Sequence, residues 1–327
     1  MRRTLRAQAE HFPLTQPFRI SRGVKTQADV VTVSITDGEV TGRGEGVPYP
    51  RYGESIDTTL AAIVNVRAAI EGGAGRHALQ KLLPPGAARN AVDCALWDLE
   101  ARKSGKSVAE MIGAPEPARL ASALTVVIDT PEAMAAAAKA IAGAPLLKIK
   151  VDANDPEAQI RAVRAAAPDC RMIVDPNESW DEALLRAIEP LLVELRIDLL
   201  EQPVPAGADE WLEGFASKVP ICADEAVHVA ADLDVVARRY QVVNVKLDKA
   251  GGLTAALELA HATHARGLGL MTGCMVSSSL SIAAALHVAR MSDFVDLDGP
   301  IWLAEDRAGG VRDEGGMLLP PVQGFWG

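Results

Sequence analysis

The chain has 327 residues, a formal net charge of −10, 49% apolar residues and only 4% aromatics. The acidic balance argues against a nucleic-acid partner, which calls for clustered Lys and Arg, and no run of about 20 apolar residues offers a membrane span. The four cysteines, Cys94, Cys170, Cys222 and Cys274, are scattered without a CxxC pair, so they read as reduced thiols rather than a disulfide frame. The basic start MRRTLRAQAEHFPLTQPF lacks the apolar stretch of a signal peptide. A soluble, cytoplasmic protein is expected, and a homo-oligomer is compatible with these numbers.

In chain order, residues 1–115 differ from the rest. Val30 to Ile35 alternates as a strand, Asp37-Gly38 is a hairpin turn signal, and Val40 resumes a strand. Helices are predicted from about Ser55 to Glu71 and from about Ala88 to Lys103. That mixture suggests a separate α+β domain. Across residues 116–305 the pattern becomes strict alternation, with strands predicted at 124–128, 146–151, 171–175, 198–201, 221–224, 242–247, 269–274 and 294–297. Seven Ala-rich stretches of helical length lie between them, for example Pro131 to Ala142 and Gly252 to Arg266. The expected fold class is therefore α/β: a modified TIM barrel, (β/α)7β, without its last helix. The Gly-, Pro- and Trp-containing tail, 306–327, is expected to return to the first domain.

Five short signatures end successive apolar runs: Lys148-Ile149-Lys150, Asp175-Pro176-Asn177, Glu201-Gln202-Pro203, Ala223-Asp224-Glu225 and Asn244-Val245-Lys246. The steps from Asp175 to Glu201, Asp224 and Lys246 are 26, 23 and 22 residues, about one strand-helix unit each. Barrel strand ends meet at one face, where active sites of that fold are built. Asp175, Glu201 and Asp224 then form an all-oxygen set suited to a hard cation such as Mg²⁺. No His or Cys accompanies them, so zinc fits poorly. A single strand-end acid often only caps the next helix, but three on consecutive strands exceed that explanation.

Lys148 and Lys150 are two apart on a strand and so point to one face, the barrel interior. Lys246 ends the sixth strand, four places round from the second, and faces them. Mutual repulsion between Lys148 and Lys150, with a nearby divalent cation, is expected to lower their pKa values toward neutrality, as a general base needs. A Schiff-base lysine of the barrel-aldolase kind is the alternative, but it leaves the three carboxylates unexplained.

The order KxK, Asp, Glu, Asp, Lys on successive strands resembles the enolase superfamily, in the subgroup that includes muconate-lactonising enzymes. Asp296-Leu297-Asp298-Gly299-Pro300 looks like the DxD signature of its dipeptide epimerases, of the L-Ala-D/L-Glu type. The likeness spans the chain, including Pro48 to Ser55 and Ala88 to Asp93. It implies that residues 1–115 form a capping domain with the substrate-specificity loops. It also implies one Mg²⁺, with Mn²⁺ as a substitute, held by Asp175, Glu201 and Asp224 with support from Asn177. In that superfamily a lysine base is paired with the metal. Here Lys150 and Lys246 would exchange the α-proton of a dipeptide, Lys148 would help stabilise the enediolate, and Asp296 and Asp298 would take the ammonium. By the same analogy Thr125 would contact the peptide backbone, and Arg22, beside Lys25 in a first-domain loop, would take a glutamate γ-carboxylate. Reuse of cell-wall peptides is the implied setting. A cycloisomerase or dehydratase of the same superfamily, such as o-succinylbenzoate synthase or muconate cycloisomerase, is the rival. Its anionic substrates lack an ammonium, and the DxD pair would repel them.

Overall fold

A computed structural model describes residues 3–327; Met1 and Arg2, part of the basic start of the chain, lie outside the described residues. The chain opens with three antiparallel strands in the order β1 (Thr4–Ile20), β2 (Gly23–Asp37) and β3 (Val40–Gly46). Sequence alternation finds β2 and β3 but misses β1. The reason is local: Pro13 and Pro17 interrupt its pattern, and the β1–β2 register shifts between Pro13 and Phe18. Proline cannot donate to a ladder and is tolerated on an edge strand.

Four helices follow, α1 (Ile56–Glu71), α2 (Arg76–Leu82), α3 (Ala87–Ser104) and α4 (Val108–Met111). Ser55 caps α1 through its hydroxyl, which accepts from Thr58 N at 3.1 Å. Ile63, Val66 and Ile70, spaced on one face, pack with Val31, Val33 and Ile35 of the sheet. α3 lies flat on β3 because Gly42, Gly44 and Gly46 present no side chain to it. A Cβ at each would stand 2.2–2.3 Å from the carbonyl oxygens of Ala95, Ala91 and Ala87.

The eight-stranded sheet then forms in chain order, every neighbouring pair parallel. After the short strand β4 (Leu120–Ala121), its strands are β5 (Leu124–Val126), β6 (Leu146–Lys150), β7 (Arg171–Asp175), β8 (Leu199–Glu201), β9 (Ile221–Ala223), β10 (Val242–Val245), β11 (Gly269–Gly273) and β12 (Phe294–Asp296). A main-chain bond from Ala123 N to Val295 O at 2.8 Å joins the last strand to the first. The connections are α5 (Pro131–Ala140), α6 (Pro156–Ala166), α7 (Glu182–Glu194), α8 (Leu233–Val236), α9 (Leu247–Ala250) with α10 (Leu253–Ala265), and α11 (Ser279–Ala289).

Two of the seven expected helices shrink. Between Glu201 and Ile221 only the 3-10 turn Glu210–Leu212 forms, because Pro203, Pro205, Gly207, Gly214 and Pro220 deny that stretch a helix. Before β10, α8 is a single turn.

Ala123, Leu146, Ile173, Leu199, Cys222, Val242, Met271 and Phe294, one from each strand or its edge, form a buried apolar layer. Side chains repeat every two residues along a strand. Two residues beyond that layer come Thr125, Lys148, Asp175, Glu201, Asp224, Asn244, Gly273 and Asp296, and two further Lys150, Lys246 and Asp298. Strand parity thus stacks an apolar plug beneath a polar layer.

Beyond β12, β14 (Met317–Leu319) pairs with β13 (Arg312–Asp313) and β4. The final residues lie against β3 and α3: Trp326 Nε1 donates to Arg43 O at 2.9 Å and Gly327 N to Asp98 Oδ1 at 2.9 Å. His287 of α11 is buried beside the Trp326 ring, centroids 5.7 Å apart. Burial, helped by Arg290, pushes its imidazole pKa down to about 4. An imidazole neutral in the fold but titrating near 6.5 when unfolded gives stability that is complete above about pH 6.5 and lost as pH falls toward 4. Denaturant titrations at pH 5 and pH 8 should show a loss of about 1–2 kcal/mol that His287→Leu removes; an equal loss in both proteins would acquit His287. Among the described residues no helix is long and apolar enough to cross a membrane.

Candidate active site

Glu201 and Asp175 are fully buried, and Asp224 is 2% exposed. Lys148 Nζ lies between three strands, 3.1 Å from Asp175 Oδ2, 2.7 Å from Glu201 Oε2 and 2.7 Å from Asp296 Oδ2. Lys150 Nζ is 2.5 Å from Asp175 Oδ2, and Lys246 Nζ is 2.7 Å from Asp224 Oδ2. β6 and β10 are four strands apart in a ring of eight, so Lys150 and Lys246 enter from opposite walls.

The protein's own carboxylates act on Lys148 in the opposite direction to the repulsion expected from its strand neighbour Lys150. Burial alone would lower Lys148, but Asp296, Glu201 and Asp175 raise it well above its ordinary value. Lys246 likewise loses charge stability by burial and regains more from Asp224 and Glu201. Each ammonium faces carboxylates rather than another ammonium. Conversely, burial would raise Asp175, but Lys150 and Lys148 bring it down to about 2. Glu201 goes up to about 7 through burial and the neighbouring Asp175.

Polar neighbours fix each acid. Asn177 donates its backbone N–H to Asp175 Oδ1 at 2.9 Å and its side-chain amide to Oδ2 at 3.2 Å. Asn244 Nδ2 donates to Glu201 Oε1 at 2.8 Å. Lys249, buried behind the strand ends, donates to Asp224 Oδ1 at 2.6 Å. The sequence reading assigned no part to Asn244 or Lys249. The parity of β10 was the available signal for Asn244, whereas Lys249 reaches the site from α9 and strand parity gave none.

The donor set suits a hard divalent cation. All three acids are carboxylates, and Glu201 Oε2 is a buried oxygen without a hydrogen bond, Lys148 Nζ lying near it but off the hydrogen-bonding direction. Among the described residues no three His, Cys, Asp or Glu side chains are drawn together in metal-ligating geometry; Lys148 Nζ stands between Asp175 and Glu201 instead.

Above these residues lies a cavity of about 390 Å³, roofed by the first domain. Thr125 and the DxD pair reach it from one side. Asp298 Oδ2 accepts from Thr125 N at 2.9 Å and Trp302 Nε1 at 3.2 Å, and burial with Asp296 nearby raises its carboxyl to about 6. Asp296 Oδ1 is buried without a partner.

On the roof, Arg22 does not point a free guanidinium into the cavity. It is 2.7 Å from Glu225 Oε1 and 3.1 Å from Glu178 Oε2, and it donates to Tyr49 Oη at 3.1 Å. Lys25, three residues on, lines the same cavity with its ammonium 5.0 Å from the Tyr49 ring centroid. Burial lowers its pKa, and among the described residues it makes no ion pair shorter than 4 Å. His228 packs edge-on against Tyr52, centroids 4.6 Å apart. Cys274 also lines the cavity.

The comparisons agree with this geometry. Residues 2–113 match the mandelate racemase / muconate lactonizing enzyme N-terminal domain, and residues 132–324 match the enolase C-terminal domain-like family. The chain is 48% identical over 306 residues to the L-Ala-D/L-Glu epimerase of Escherichia coli (strain K12), covering 93% of this chain and 95% of that protein. It is 42% identical over 304 residues to the N-acetyl-D-glutamate racemase of a Pseudoalteromonas species, covering 91% of this chain and 95% of that protein. A crystal structure of an enolase family member from Agrobacterium tumefaciens with homology to dipeptide epimerases, bound to sodium and L-Ala-L-Glu with an ordered loop, superposes with a TM-score of 0.97. It is 49% identical in sequence, and the match covers 99% of this chain and 100% of that one. The chain belongs to the mandelate racemase / muconate lactonizing enzyme family of the enolase superfamily.

Proposed function

We propose that this chain is a Mg²⁺-dependent isomerase that inverts the α-carbon of the C-terminal residue of a dipeptide, with L-Ala-D/L-Glu as substrate. The observation that carries the reading is the pair Lys150 and Lys246, on opposite walls of one cavity with three buried carboxylates between them. A proton can leave one face of a carbon held there and return on the other. Lys150 and Lys246 alternate as base and acid, and Lys148 faces the carboxylate on which charge builds.

Asp175, Glu201 and Asp224 would hold Mg²⁺, or Mn²⁺ in its place. When bound, the cation would supply positive charge beside the substrate carboxylate and offset the charge of the three acids, which would favour a neutral lysine base.

The unpartnered Asp296 Oδ1 supports an ammonium receptor at the far end, and an anion without an ammonium would meet two acids there. This disfavours the cycloisomerase reading. Since Arg22 is engaged by Glu178 and Glu225, we assign the γ-carboxylate of glutamate to Lys25. Lys25→Met should lower kcat/KM for L-Ala-L-Glu by about 10–100-fold while sparing L-Ala-L-Leu. Equal losses on both dipeptides would return the role to Arg22.

The test of the reaction is incubation with Mg²⁺ in D₂O, with L-Ala-L-Glu and N-acetyl-D-glutamate compared side by side. α-Deuterium uptake with formation of L-Ala-D-Glu is expected. Turnover of the N-acetyl compound alone would keep the two-base chemistry and remove the ammonium receptor. No exchange with either would overturn the proposal.

A further inference from the structure

The loop after β7 connects the roof of the cavity to the acid beneath it. Asn177 and Glu178 both adopt left-handed backbone, φ 47° and 67°, without being glycine. That turn lets Asn177 fold back onto Asp175 with two hydrogen bonds while Glu178 points up to the first domain. Two cap segments descend onto it. Ser21 Oγ and Arg22 Nη1 donate to Asn177 O at 3.2 and 3.0 Å. Arg51 binds Glu178 with two bonds, Nε to Oε2 at 2.8 Å and Nη2 to Oε1 at 2.9 Å, and Arg22 Nη1 adds a third at 3.1 Å. From the barrel side, Ala206 N donates to Glu178 Oε1 at 2.9 Å. The Glu178 side chain is 7% exposed, so the cluster differs from a solvated surface pair, which contributes little. Bidentate arginine also fixes direction as well as charge.

We infer that Glu178 is a positioning residue that couples closure of the cap over the cavity to the orientation of Asp175. Its grip on Arg22 and Arg51 seats the loop carrying Lys25, and the same two-residue turn carries the bonds that aim Asp175. The inference rests on the epimerase reading only for its kinetic consequence: loosening the cap should raise KM more than it lowers kcat.

Glu178→Gln and Arg51→Gln test it by two measurements that need no turnover. The first is amide hydrogen exchange of residues 20–25, expected to quicken about tenfold in both variants. The second is affinity for Mn²⁺ alone, without substrate, expected to fall about tenfold in both. Arg51→Gln is the discriminating variant. If Arg51 acted only as a nearby positive charge, removing it would tighten Mn²⁺ binding; coupling through the turn weakens it instead. Unchanged or tighter Mn²⁺ binding in Arg51→Gln overturns the inference, as does unaltered exchange at 20–25. If both measurements respond as expected while the unaltered protein turns over no dipeptide, the coupling stands and the epimerase reading fails.

Discussion

Lys150→Ala and Lys246→Ala should each depress epimerisation by about 10²–10⁴-fold, yet neither should end proton chemistry at the α-carbon. Each lysine stands on its own wall of the cavity, on β6 and β10, and is tied to its own carboxylate, Asp175 or Asp224. Inversion needs both walls, because the proton is removed from one face and returned to the other. Exchange needs only one, because a lysine that removes a proton can trade it with solvent and restore deuterium to the same face. In D₂O, therefore, each variant should wash deuterium into one of L-Ala-L-Glu and L-Ala-D-Glu without interconverting them, and the two variants should choose opposite epimers. Mass spectrometry of the recovered dipeptides, with chiral analysis, reads both quantities. Loss of exchange on both epimers in a single variant would mean that one lysine serves both faces. Full epimerisation in either would sink the two-base mechanism.

The polar layer was legible in the sequence because period-2 parity is a local property. Once Leu146 or Ile173 is placed in the plug, Lys148 and Asp175 must point the same way. What parity cannot supply is who faces whom across the ring. The expectation of a depressed Lys148 and Lys150 followed from the KxK spacing within one strand together with a nearby divalent cation. The ammonium of Lys148 is instead surrounded by acids from β7, β8 and β12, contacts separated by up to 148 residues. The same limit explains Arg22: nothing near it in the chain reveals Glu178 and Glu225, more than 150 residues away.

Helix placement failed for a different reason. Alternation and length suggested a helix in every connection, although the stretch from Gln202 to Pro220 carries three prolines and two glycines. Local propensity was the better guide there, and it was outvoted by the fold's expected repeat.

Gly273→Ala should cut turnover about 100-fold through a single added carbon. Gly273 ends β11 beside β10, and its Cβ would stand 2.7 Å from Asn244 Oδ1, 2.9 Å from Asn244 Nδ2 and 2.9 Å from Lys246 Cε. Asn244 cannot yield freely, since its amide holds Glu201 and its strand is paired on both sides. Lys246 has the longer, more flexible side chain and is the group that moves. Overpacking of this kind costs about 1–3 kcal/mol of stability, which a protein of this size should survive, so folded protein remains to be assayed. The consequence for the chemistry is asymmetric: Lys246 is displaced from its face of the substrate, and Lys150 on the opposite wall is not. Deuterium exchange should therefore fall for the epimer that depends on Lys246, the one that loses exchange in Lys246→Ala, and persist for the other. Parallel losses on both epimers would show that the added methyl distorts the whole site, through Glu201, rather than one acid/base residue.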